Sequence, residues 1–234
     1  MPPMHGSSRR RTFLGRLAAG AAAFGAAVAT GASPLNAMPA SGEFKPARHP
    51  QDDWMDEIPG KHRLFLDAVT PRGAAEAITF ASNYTVANKS GYGLAATELA
   101  IVICYRHFAT PFAFGDDAWA KYGAAWSAVI GYKDPVTDAA PVRNVWNARG
   151  LPGMQPNRGV TVADAGARGI RFCVCDMATQ AFAGMAAQAT GGKADEIHQE
   201  LKRGAVAGNA QFVAAGIVAV GRAQERGYAF SYVG

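Results

Sequence analysis

Apolar positions in this 234-residue chain fall into short continuous runs separated by segments of helical period. The run His62 to Val69 (HRLFLDAV) predicts a buried strand that ends in Asp67 and the turn Thr70-Pro71. From Gly73 to Asn88, Ala77, Phe80, Ala81, Tyr84 and Ala87 recur at helical spacing. An amphipathic helix is therefore expected there, ended by Ser90-Gly91-Tyr92-Gly93. Glu98 to Tyr105 (ELAIVICY) is apolar almost throughout, as strands of a parallel sheet covered on both faces are. Arg106 and His107 stand at its C-terminal end. Asp116 or Asp117 is placed to cap a short helix that carries Trp119 and Tyr122.

Residues 131–160 are rich in Pro, Asn and Gly, hold Trp146, and have no period. A loop of this length is usually functional or disordered. Val160 to Arg168 predicts a helix that leads into a strand from Ile170 to Cys175. Met177 to Ala189 predicts the next helix, stopped by Gly191-Gly192, and Lys193 to Gly204 another. Ala205 to Gly208 and Gln211 to Val213 form a weak strand region. Gly216 to Gly227 reads as an amphipathic helix with a glycine stop, and Tyr228 to Val233 as a last, aromatic strand. Such alternation predicts an α/β protein, a three-layer α/β/α sandwich around a mainly parallel sheet of about five strands.

Composition adds little to this picture until charge is placed along the chain. Hydrophobic residues make up 49% and charged residues 18%, enough apolar surface for one well-buried core. The formal charge is +5, but Arg9, Arg10, Arg11 and Arg16 all lie in the first 37 residues, which hold no acid. Without them the charge falls to +1, so no electrostatic case for nucleic-acid binding remains. Arg10-Arg11-Thr12-Phe13-Leu14 fits a twin-arginine export pattern, followed by a weakly hydrophobic Ala/Gly run from Leu17 to Ala32. Cleavage is expected near Ala37 or Ala40, which leaves no stable membrane span. The expected organisation is a signal peptide at 1–37, a linker at 38–60 and an α/β domain at 61–234, with a periplasmic or otherwise exported location.

Candidate chemistry sits where parallel strands end, because ligands of open parallel sheets bind there. Those ends supply Asp67 and Thr70, then Arg106 and His107, then Cys175 and Asp176. Cys175 leads from a strand into a helix, and a helix N-terminus favours a thiolate. Cys104 and Cys173 lie inside apolar runs and read as core. Cys173 and Cys175 are two apart in a strand, too far for an easy disulfide, and pairing Cys104 with Cys173 would need adjacent strands, so at least one free thiol is expected. Three thiols without a CxxC or paired-histidine spacing predict no metal site. The chain also lacks GxGxxG after its first strand and GxxxxGK[ST], so no nucleotide cofactor is implied.

Four segments carry a family resemblance: His62-Arg63-Leu64-Phe65-Leu66-Asp67, Arg106-His107-Phe108-Ala109-Thr110-Pro111, Val174-Cys175-Asp176, and Gly216-Ile217-Val218-Ala219-Val220 with Arg222-Ala223-Gln224-Glu225-Arg226-Gly227. Together they resemble the exported members of the DsrE/DsrF-like superfamily, from roughly residue 61 to the C-terminus. The resemblance implies a five-stranded α/β/α fold, frequent oligomers and, as in the sulfur-relay members, a cysteine that accepts and passes sulfur. Cys175 is the matching residue. The expected function is that of an exported sulfur carrier holding a persulfide on Cys175. Arg106 and His107 would stabilise the thiolate or polarise the donor, with Asp67, Thr70 and Asp176 as binding groups. Its partners would be a second copy, a sulfur-relay protein or a small sulfur compound. The alternative is a non-catalytic small-ligand or assembly module of the same fold. A thiol oxidoreductase is weaker, since a resolving cysteine would have to be Cys173, Cys104 or a partner's.

Overall fold

The sheet in the computed structural model, which describes residues 45–234, consists of β1 (His62–Ala68), β2 (Leu99–Tyr105), β3 (Arg171–Cys175), β4 (Gln211–Val213) and β5 (Ala229–Val233). Their order is β4-β3-β2-β1-β5 and every neighbouring pair is parallel. The helices are α1 (Pro71–Tyr92), α2 (Asp116–Ile130), α3 (Val162–Ala167), α4 (Asp176–Thr190), α5 (Ala194–Arg203) and α6 (Gly216–Gln224). The expected α/β/α sandwich is present. The twin-arginine segment and its cleavage points lie outside the described residues.

The layering follows from strand order and crossover hand. From β1 to β4 the chain steps the same way across the sheet, so right-handed crossovers put their helices on one face. The last step runs back across the sheet to the far side of β1, which puts α6 on the opposite face. Two cores result, split by the side-chain alternation of the strands. Leu66, Ile103, Tyr105, Phe172 and Val174 pack with α1, α2 and α4 on the first face. Phe65, Val102, Cys104, Cys173 and Val213 pack with Ala219, Val220 and Ala223 of α6 on the second. The first strand and helix meet at Thr70, whose hydroxyl accepts the Gly73 amide at 2.9 Å as an N-cap. The helix α1 ends at Tyr92, within the expected Ser90-Gly91-Tyr92-Gly93 stop, where Gly93, with φ of 71°, takes the left-handed conformation that ends it.

Two stretches differ from expectation in physical role. Part of the expected linker is folded: Pro50–Met55 makes a 3-10 turn, and Trp54, Met55 and Ile58 complete the second core. Arg48–Gly234 accordingly forms one unit. Three large apolar side chains in a polar stretch have nowhere better to go than the thinly covered face beside α6. The 131–160 loop is held by buried anchors. Asn144 donates to the carbonyls of Phe112 and Phe114 at 2.7 and 2.8 Å, and the Trp146 indole donates to the Pro71 carbonyl at 2.8 Å. Trp146 is a covering side chain packed on Phe112 and Tyr132. No helix of the described residues is long and apolar enough to cross a membrane.

Candidate functional site

The adjacent strands β3 and β4 send their connections to opposite faces, β3 into α4 on the first and β4 into α6 on the second. A crevice must open where two neighbouring connections part, outside the C-terminal strand ends. A cavity of about 430 Å³ lies there, lined by the N-terminal halves of α4 and α6 and by the residues that follow β2. Three of the expected residues, Arg106, His107 and Cys175, line it together.

Cys175 is the last residue of β3 and the N-cap of α4. Its sulfur accepts the Ala178 amide at 3.4 Å, and its carbonyl accepts the Thr179 hydroxyl at 2.9 Å. It is 7% exposed. The amide that reaches the sulfur is one of the four that a helix start leaves without an intrahelical partner, so negative charge on the sulfur is favoured there.

Arg106 continues β2 on the face of Cys104, which pairs in register with Asp67 and Cys173. Its guanidinium meets Asp67 two-pronged, Nε to Oδ1 at 2.7 Å and Nη2 to Oδ2 at 2.8 Å. Asp67 is 1% exposed, and the Arg106 side chain is 22% exposed. The Asp67 hydrogen bond outweighs burial and raises the Arg106 pKa further. On the other side Arg106 is held by Gly216. A β-carbon at that position would lie 2.6 Å from the Arg106 β-carbon, so only glycine lets α6 begin this close. His107 is exposed at the cavity rim in the left-handed region, with φ of 53°, its ring stacked on Phe108 at 4.0 Å. Such a backbone state is uncommon for a residue with a side chain and turns the chain sharply out of β2.

The other three expected residues do not line the cavity. Asp67 is enclosed and pairs with Arg106. Thr70 caps α1. Asp176 faces α5, where His198 Nε2 lies 2.8 Å and Lys202 Nζ 3.3 Å from its carboxylate, with Gln180 donating at 3.0 Å. Burial raises the Asp176 carboxyl, but these three bonds together hold it below the usual carboxylate range. The three thiols are free. Cys104 and Cys173 sit on adjacent strands in register, both fully buried, and a hydrogen bond to Cys173 together with burial pushes the Cys104 thiol up.

Sequence reasoning missed the wall of the cavity. Met177, Ala178, Ala181, Phe182 and Met185 line one side. Their spacing of one, three, one and three residues is a helical stripe legible in DMATQAFAGM. Ile217, beside Gly216, lines the other side. A larger hollow of about 700 Å³ lies within the loop at residues 148–159, but its lining offers glycines, Met154 and Arg158 and no nucleophile. The strand-end cavity, which holds the thiol, is therefore the candidate site. Among the described residues no three His, Cys, Asp or Glu side chains converge as a metal site. Compared with family models, curated proteins and solved structures, the chain has no match in any of the three.

Proposed function

We propose that this protein handles sulfur, with Cys175 as the atom that accepts it and holds it as a persulfide. The observation that carries this reading is the position of the thiol: it caps a 15-residue helix inside a cavity at the parting of two crossovers, with an amide aimed at its sulfur. Arg106 and His107 flank the entering donor. The five-stranded parallel α/β/α fold supports, without extending, the resemblance to exported DsrE/DsrF-like proteins, and the twin-arginine pattern supports action outside the cytoplasm.

The test is mass spectrometry of reduced protein incubated with thiosulfate, inorganic polysulfide and an organic persulfide in turn. A one-sulfur adduct on Cys175, absent in Cys175→Ser, is expected. No adduct from any donor, on protein whose Cys175 reacts with a small alkylating agent, refutes the reading.

A second reading, a non-catalytic assembly module, is favoured by one feature. Phe230 and Tyr232 on the edge strand β5 are 42% and 56% exposed, and Ile217 and Val218 of α6 are exposed as well. Under that reading the protein forms a homo-oligomer by analytical ultracentrifugation, Cys175→Ser leaves that state and any ligand binding intact, and no sulfur is carried.

A further inference from the structure

The walls of the Cys175 cavity and the charge around it are selective among sulfur compounds. Phe108, Met177, Ala181, Phe182, Met185 and Ile217 make an apolar lining. At about 430 Å³ the space falls within the roughly 300–1,000 Å³ of small-molecule pockets, far more than a bare sulfur atom needs. Among the described residues Arg106 is the one Lys or Arg in the lining, and the buried Asp67 carboxylate already neutralises it through two short bonds. An entering dianion such as thiosulfate loses its water and meets no uncompensated cation, an unfavourable exchange.

The helix ends refine this. Of the first amides of α4, Met177 N donates to the Ala214 carbonyl and Ala178 N to Cys175 itself. The amides of Gly216 and Ile217, which open α6 on the opposite wall, have no intrahelical partner. A helix start carries about half a positive charge. That suits one departing thiolate and falls short of a dianion.

We infer that the cavity takes organic sulfur compounds with an apolar, uncharged substituent, aryl or alkyl persulfides and disulfides, in preference to inorganic sulfur oxyanions. This rests on the sulfur-handling reading of the same site. For a persulfide donor R–S–S–H, the Cys175 thiolate attacks the terminal sulfur. A bond forms between that sulfur and Cys175 Sγ, and the donor's S–S bond breaks. The electron pair leaves with R–S⁻, and the proton stays on the transferred sulfur. The step involves no net oxidation. With a disulfide R–S–S–R the same attack gives a mixed disulfide on Cys175 and one R–S⁻.

The experiment compares two chromogenic aromatic disulfides on the folded protein: neutral 4,4′-dithiodipyridine and dianionic 5,5′-dithiobis(2-nitrobenzoate). Each rate constant is divided by that of glutathione, and Cys175→Ser assigns the signal. The expected normalised preference for the neutral reagent is about tenfold or more. Met177→Lys, at a position 65% exposed and so tolerant of charge, should raise the dianion rate several-fold and narrow the preference. A ratio near or below one, or no reaction with the neutral reagent, overturns the inference.

A second arm compares sulfur loading from benzyl persulfide with that from thiosulfate by mass spectrometry. Equal loading overturns the selectivity and leaves the carrier reading intact. Preference for the neutral disulfide without loading from either donor supports the selectivity and removes the carrier reading.

Discussion

Removing either partner of the Asp67–Arg106 pair should destabilise the protein by different amounts, and the difference tests how the site is built. Arg106→Met leaves the Asp67 carboxylate, 1% exposed, without its counter-charge beneath the sheet edge. An uncompensated buried charge of this kind costs about 3–5 kcal/mol. Asp67→Asn is milder. The introduced amide oxygen still accepts from the guanidinium, and the Arg106 head, about a fifth exposed at the cavity, can reach water. Exchanging a charge-assisted bond for a neutral one there costs about 1–2 kcal/mol. The double variant should lose less than the two singles added, because neither group is then left alone. Urea denaturation at pH 7 measures all four proteins, with the slope checked for constancy. The substitution also acts on function: in Asp67→Asn the Arg106 charge is no longer neutralised, so the dianionic disulfide should react faster at Cys175 than in the wild type. If Asp67→Asn costs as much as Arg106→Met, or both cost less than about 1 kcal/mol, the pair is not the buried, neutralised unit described above.

Four further substitutions, the last two read against each other, probe other contacts. Gly216→Ala places a β-carbon against the Arg106 stem and should cost about 1–3 kcal/mol in urea unfolding; a neutral result would mean that α6 shifts freely. Asp176 has a lowered carboxyl pKa in the folded protein, so it binds its proton more weakly folded than unfolded. Its stabilising contribution is complete above pH ~4 and is lost as pH falls through the lowered folded value. The stability gap between wild type and Asp176→Asn should therefore be full at pH 6–7 and narrow below pH ~4, and a gap unchanged to pH ~2.5 would contradict the network with His198 and Lys202. Trp146→Ala should cost about 3–5 kcal/mol, whereas Met154→Ala, in the same loop and 91% exposed, should stay within about 0.5 kcal/mol; similar thermal melts for the two would refute the anchored loop.

The central strands β1, β2 and β3 were legible as short apolar runs bounded by turn residues, the mark that parallel strands covered on both faces leave, whereas the partly exposed edge strands β4 and β5 gave a weaker signal. The layering was less so. Nothing in the local sequence of Gly216–Gln224 says that this helix lies on the opposite face from the other five; that depends on β5 returning to the far side of β1. In the 50–58 part of the linker the polar composition hides how much is docked, since three side chains, Trp54, Met55 and Ile58, decide its fate. The same holds for residues 131–160: Asn144 looks like a loop residue and works as a buried bracket for two carbonyls.

The site was half legible for a reason that lies in register. Arg106 follows β2 and Cys175 ends β3, and the pairing of the two strands aligns Cys104 with Cys173, so Arg106 and Cys175 emerge at the same level and on the same face, while Asp67 stands in the Cys104–Cys173 row one strand further on. Strand ends alone nominate six residues, and alternation sorts them. Asp67, Arg106 and Cys175 share a face, whereas Thr70 caps α1 and Asp176, the first residue of α4, turns to His198 and Lys202 of α5. What no strand-end argument supplies is the state of the charge. An arginine at a crevice suggests an anion site, and this one is already paired by a carboxylate that water scarcely reaches. The pairing leaves a largely apolar lining around the thiol where an unpaired arginine would have favoured anions, and it does so through a residue outside the lining. In the proposed reading Asp67 is a positioning residue, and a readout that a purely structural role would leave unmoved, the neutral-to-dianion rate ratio at Cys175, separates the two roles.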